Sequence, residues 1–129
     1  MTSKPRVDLL LIPGLLCDHR LWSSQTQALA EFARGETPDL TACESIDAMA
    51  EALLSAAPEH FALAGFSIGG CVKLEVIARA PQRVRQLALL STSAAGLLPG
   101  VRQNYLQSIT LLQAAGLARY LADAFPRYM

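Results

Sequence analysis

Charged residues are scarce in this sequence. Asp, Glu, Lys and Arg make up 17% of it, against about 25% in an ordinary globular chain. The eleven basic and eleven acidic side chains cancel, so no net field draws in a phosphate backbone or an anionic membrane, and neither partner is expected. Cysteine occurs three times, as Cys17, Cys43 and Cys71, far apart and outside any CxxC or Cys/His pairing, which leaves no basis for a disulfide framework or a zinc site. No apolar run approaches the roughly 18 residues of a membrane span. The run Leu9 to Ile12 follows Lys4 and Arg6 but is broken by Asp8 and Pro13-Gly14, too soon for the core of a signal peptide, and a cytoplasmic location is expected. Histidine is scarcer still: His19 and His60 are the two, and both precede Phe61.

Apolar residues are plentiful. They make up 52% of the 129 residues, enough for the core of one domain and an argument against disorder. So little polar surface on so small a body implies that part of it packs against something else, and self-association through exposed apolar surface is the expected form. The charges are also uneven: residues 1–75 carry five basic and ten acidic side chains, residues 76–129 six basic and one acidic. A solvated, asymmetric surface accounts for that.

Apolar periodicity divides the chain into alternating strands and helices. Val7 to Ile12 reads as a buried parallel strand closed by Pro13-Gly14. A helix is expected from Asp18 or His19 to about Phe32, with Leu21, Trp22, Leu29 and Phe32 at helical spacing and Gly35 as its stop, and Glu36 to Asp39 as loop or a very short strand. Ser45 caps a second helix to about Ala56 that turns Ile46, Met49, Leu53 and Leu54 inward. Phe61 to Phe66 reads as a second central strand, Ile68 to Ala80 as a helix ended by Pro81, and Gln86 to Leu90 as a third buried run. Beyond Pro99-Gly100 a helical stretch runs from Val101 to about Phe125, with Gly116 placed to bend or divide it and Tyr105, Ile109 and Leu112 on one stripe. The fold class expected is α/β, a mainly parallel sheet with helices on both faces.

Gly65-Phe66-Ser67-Ile68-Gly69 is the motif that carries chemistry. A nucleophilic serine must project from a sharp strand-to-helix turn, where a side chain two residues before or after it would strike the neighbouring strand or helix. Gly65 and Gly69 remove those side chains. The N–H of Ile68, at the start of the following helix, is then placed to receive a developing oxyanion. The pattern alone is moderately specific; the apolar strand before it and the helix after it supply the context it requires. An idle serine in a tight glycine-rich turn is the plainer alternative.

With these residues the sequence resembles the α/β-hydrolase family over nearly its whole length. Val7 to Asp18 is similar to that family's early strand and oxyanion loop, with Pro13 where many members have histidine; the resemblance puts a second oxyanion N–H at Leu15, beside that of Ile68. Arg83 to Thr92 resembles the next core strand, and the helix from Val101 the start of a lid. The resemblance thus implies residues 1–100 as the N-terminal part of a hydrolase core and 101–129 as an incomplete helical lid. It implies a serine hydrolase acting on a small acyl ester or related carbonyl substrate, with Ser67 as nucleophile, no cofactor and no metal. Trp22 and Ser91 are further pocket candidates. The family's order of Ser, then Asp or Glu, then His is not completed: Glu75 and Asp123 are the acids after Ser67, neither at the family's position, and no histidine follows. The expectation is a chain that stops before the triad's acid and base.

Neither histidine substitutes. His60 precedes the strand leading to Ser67, and seven extended residues put it about 20 Å away at the wrong end of the sheet. His19 belongs to the correct end but opens a helix, where a solvated polar residue is usual. Cys71, one turn into the helix after Ser67, reads as a packing residue. The competing function is a non-catalytic module of the same fold that binds without turning over.

Overall fold

A computed structural model describes residues 5–124 and divides the chain into two units, Met1–Ala94 and Ala95–Met129. In the first unit, four strands form one parallel sheet in the order β2-β1-β3-β4: β1 (Val7–Ile12), β2 (Ala33–Glu36), β3 (Phe61–Phe66) and β4 (Val84–Leu90). The chain steps from β1 outward to β2, then returns past β1 to β3 and continues to β4. That reversal puts a switch point between β1 and β3, where the carboxyl ends of an open parallel sheet leave a crevice.

If all three crossovers keep one hand, the same reversal puts the helix of the first on one face and the helices of the other two on the opposite face, and the core divides accordingly. Leu10, Ile12, Phe61 and Leu63 pack with Ala50 and Leu53 of α2 (Ile46–Ala56) and with Val72 and Val76 of α3 (Ile68–Arg79). Their alternate neighbours Leu11 and Ala64 pack with Trp22 on the other face. The strand period of two thus feeds two cores from one run of apolar residues. Ser45 caps α2 through a bond from the Ala48 N–H to its hydroxyl at 3.1 Å. Arg83 closes the far end of α2, donating to the carbonyls of Leu54, Ala57, Pro58 and Glu59 with its guanidinium over the Phe61 ring.

Two expectations need correction. The helix expected to reach Phe32 is a 3-10 turn, His19–Trp22, followed by a short α1 (Ser23–Ala28). Pairing with β1 takes the next residues into β2, beginning Val7 opposite Ala33, so Gly35 lies inside a strand and Phe32 is exposed. The run Gln86 to Leu90, expected to be buried, is exposed along its length. Among the described residues β4 is the edge of the sheet and has β3 as its one strand neighbour.

The second unit is α4 (Pro99–Ala124), broken at Gly116, whose φ of 79° and ψ of 169° are not helical. The interruption expected there is present. Tyr105, Ile109 and Leu112 are exposed on it; Phe125 lies outside the described residues. Among the described residues no helix is long and apolar enough to cross a membrane.

Candidate active site

Ser67 stands between β3 and α3 with φ 54° and ψ −117°, a left-handed backbone that a residue with a side chain adopts only at a cost. Its N–H donates to the Leu90 carbonyl of β4 at 3.0 Å, and its own carbonyl accepts from the Gly70 N–H at 2.8 Å. The hydroxyl caps nothing in α3. The turn closes because two side chains are missing. A Cβ on Gly65 would lie 2.6 Å from the Gly69 carbonyl oxygen, and one on Gly69 would lie 2.5 Å from the Ile12 carbonyl oxygen and 2.9 Å from that of Pro13. These obstacles are backbone and cannot rotate away.

The loop after β1 comes to the same place. A Cβ on Gly14 would sit 2.8 Å from Phe66 and 3.5 Å from the Ser67 Cβ, so this loop passes beside the serine. Leu16, two residues on, has φ 60°, and Ser91, just past β4, has φ 48°. Among the described residues, the non-glycine positions of positive φ therefore all follow the carboxyl ends of neighbouring strands β1, β3 and β4. Strain gathered at one sheet edge points to a site, because such conformations persist only where the surroundings hold them.

Leu15, exposed, and Ile68, half-buried, line one cavity of about 590 Å³ with Gly14, Leu40, Met49 and His19. Asp18 and Asp39 also border it. The Arg20 guanidinium, helped by the Arg20 N–H, holds the Asp18 carboxyl down at about 2. The Thr41 hydroxyl and then its N–H hold Asp39 below its ordinary value. Both stay anionic at neutral pH, too acidic to serve as proton acceptors for a hydroxyl. His60 falls just before β3, at the opposite end of the sheet from Ser67. Among the described residues, no group of three His, Cys, Asp or Glu side chains is placed to hold a metal ion.

Neither further pocket candidate lines that cavity. Trp22 is 5% exposed, packed against Leu11 and Ala64, and does not line the cavity beside the turn. Ser91 stays at the strand edge, exposed. Cys71 is exposed rather than packed. The sequence reading passed over Lys73, which is fully buried on α3, its ammonium donating to the Gly65 carbonyl at 3.0 Å and to that of Ala88. The signal for it was a lone cation on the apolar side of a helix.

Comparison with known proteins places this arrangement. No family model matches the chain. It is 33% identical to the pimeloyl-[acyl-carrier protein] methyl ester esterase of Aromatoleum aromaticum over 68% of this chain and 38% of that protein. It is 28% identical to the enzyme of the same name from Pectobacterium carotovorum over 89% of this chain and 51% of the relative. Among solved structures, the enol-lactonase of Burkholderia xenovorans LB400 superposes with a TM-score of 0.78 at 20% identity, over 95% of this chain and 51% of its own. A thermophilic esterase from Thermogutta terrifontis gives 0.73 at 20% identity, over 94% and 50%. The chain has the α/β-hydrolase fold. It spans between a third and about half of the α/β-hydrolases it matches.

Proposed function

We propose that this α/β-hydrolase chain carries the nucleophile and the oxyanion donors of a serine esterase, and that the substrate is the ester of a small or medium acyl chain. The observation that carries the reading is the backbone of Ser67, held left-handed at a strand-to-helix turn that closes only because residues 65 and 69 are glycine. In this reading the Ser67 oxygen attacks the ester carbon, and the carbonyl oxygen gathers charge against the N–H groups of Ile68 and Leu15. The alcohol departs, leaving an acyl group on Ser67, and water then releases the acid. The names of the relatives support an acyl methyl ester as the substrate class. The apolar lining of the cavity by Leu15, Leu40, Met49 and Ile68 suits a hydrocarbon chain.

The base and the acid of the triad lie outside these 129 residues in this proposal, since no histidine follows Ser67, His60 is at the wrong end of the sheet, and His19, which borders the cavity, opens a 3-10 turn and is exposed to water. Residues 1–100 are then the N-terminal part of the catalytic core and 101–129 the start of its lid. The test uses a p-nitrophenyl ester. The 129-residue chain should not turn it over above background, because the Ser67 hydroxyl then has no imidazole in reach to take its proton as it attacks and pass it to the departing alcohol. Joined to the remaining segment of the Aromatoleum aromaticum relative, it should turn over with an acyl group trapped on Ser67 by mass spectrometry, and Ser67→Ala should abolish this. A folded, active fusion that survives Ser67→Ala would overturn the reading.

A further inference from the structure

Lys73 takes no part in the chemistry proposed above, yet its side chain is 0% exposed. No carboxylate forms an ion pair with it among the described residues. Burying an ammonium without a counter-ion is costly, and an apolar side chain of the same length would pack there at less cost. The geometry shows what the lysine touches instead. A Cβ on Gly65 would stand 2.6 Å from Lys73 Cε, so the glycine that admits the sharp turn also admits the lysine stem. Nζ donates to the carbonyl of Gly65 on β3 and to that of Ala88 on β4. Two residues further along both strands, the Ser67 N–H donates to the Leu90 carbonyl.

We propose that Lys73 is a positioning residue for Ser67: its ammonium ties the ends of β3 and β4 together directly behind the bond that seats the serine, and so holds the strained backbone in one geometry. Its role as a positioning residue rests on Ser67 being the nucleophile; the tie between the strands does not.

Burial holds the Lys73 ammonium down at about 8, against an ordinary 10.5. The sign follows from proton counts. Between those two values the unfolded chain binds more protons than the folded one, so stability rises with pH across that window, while below it both states are charged and the cost of burial is fully present. Other groups on the elements around Lys73 are accounted for. On α3, Glu75 and Arg79 pair with each other and Cys71 is exposed; on β4, Arg85 is exposed; β3 has no ionisable side chain. On β1, Asp8 pairs with Arg34; on α2, Asp47 pairs with Arg79 and Glu51 is exposed; Arg83 is spent on backbone carbonyls.

The test is an amide NMR titration of the 129-residue chain from about pH 6 to about pH 11. The Ser67 and Leu90 resonances should inflect near 8 in the parent and lose that inflection in Lys73→Met. In the variant, exchange of the Ser67 amide should quicken about tenfold, the loss of one charge-assisted bond, while α2 amides keep their protection and the melting temperature holds or rises. An inflection that persists in Lys73→Met, or a Ser67 amide equally protected in both chains, overturns the proposal. Should Lys73→Met fail to fold, the parent titration decides, and a flat response overturns it. Failure of the nucleophile reading is separate, because it shows as activity surviving Ser67→Ala in the fusion while these resonances still titrate.

Discussion

Ser67 holds φ 54° with a hydroxyl that caps nothing in α3, so its structural cost lies in the backbone and is not offset by a bond from its side chain to the helix. Glycine at the same position would adopt that backbone without strain. Ser67→Gly should therefore raise stability by about 1 kcal/mol, and Ser67→Ala, which keeps the strain and loses no bond in α3, should stay within about 0.5 kcal/mol of the parent. Gly69→Val should go the other way by more than about 1 kcal/mol, because its Cβ would meet the Ile12 and Pro13 carbonyl oxygens. Thermal melts of the three variants decide this, and three curves like the parent's would remove the strained turn from the account. The glycine spacing around Ser67 made the turn legible in the sequence, since G-x-S-x-G states directly which side chains must be absent. Leu16 and Ser91 share the same left-handed backbone but stand in no such pattern, and nothing local to their sequence announced it. Lys73 was illegible for a different reason. A helix shows which residues share a face but not how far a four-carbon stem reaches, and the two carbonyls it finds belong to strands brought together by the fold.

Elements were most legible where one run of residues forms one structure. Strand β3 falls at Phe61–Phe66, where its unbroken apolar run put it, and α2 begins after Ser45 because a hydroxyl there satisfies an otherwise unpaired N–H. The segment from Leu29 to Gly35 was misread because Leu29 and Phe32 fit helical spacing, while the pairing of Val7 with Ala33 that takes the chain into β2 is a long-range choice. Local periodicity gives way when β1 offers a free edge. Arg83 shows the same limit. It appears in the sequence as one charge before a strand, yet it satisfies carbonyls at the end of α2 and lies over Phe61 at the start of β3. Replacing it with methionine keeps much of the stem and removes the donors. Arg83→Met should cost roughly 1–3 kcal/mol, and Arg83→Lys should recover only part of it, since an ammonium cannot fork to several carbonyls at once. Urea denaturation measures both, and a fully stable Arg83→Met would show that solvent replaces the bonds at no cost.

At the scale of the whole molecule, the low charge and the apolar excess find a place. Strand β4 is the edge of the sheet among the described residues, and its Leu87, Leu89 and Leu90 are 40%, 47% and 40% exposed. In the same unit a trough of about 390 Å³ is lined by Leu9, Leu11, Trp22, Leu29, Leu87 and Leu90. An edge with free backbone groups, no proline from Val84 to Leu90 and one charged residue, Arg85, lacks the usual protections against pairing with another chain. A net charge of zero adds no repulsion between copies. The 129-residue chain should therefore self-associate at micromolar concentration and bind a hydrophobic dye. Leu89→Lys tests the assignment to β4, because a cation on an exposed edge strand opposes pairing, and Leu89 belongs to neither core cluster. Sedimentation velocity should show the parent as dimers or larger species and Leu89→Lys shifted toward monomer, with the same cooperative melt. A parent that sediments as a monomer and binds no dye would mean that this apolar surface is tolerated in water. A variant that associates as strongly as the parent would move the contact from β4 to another surface.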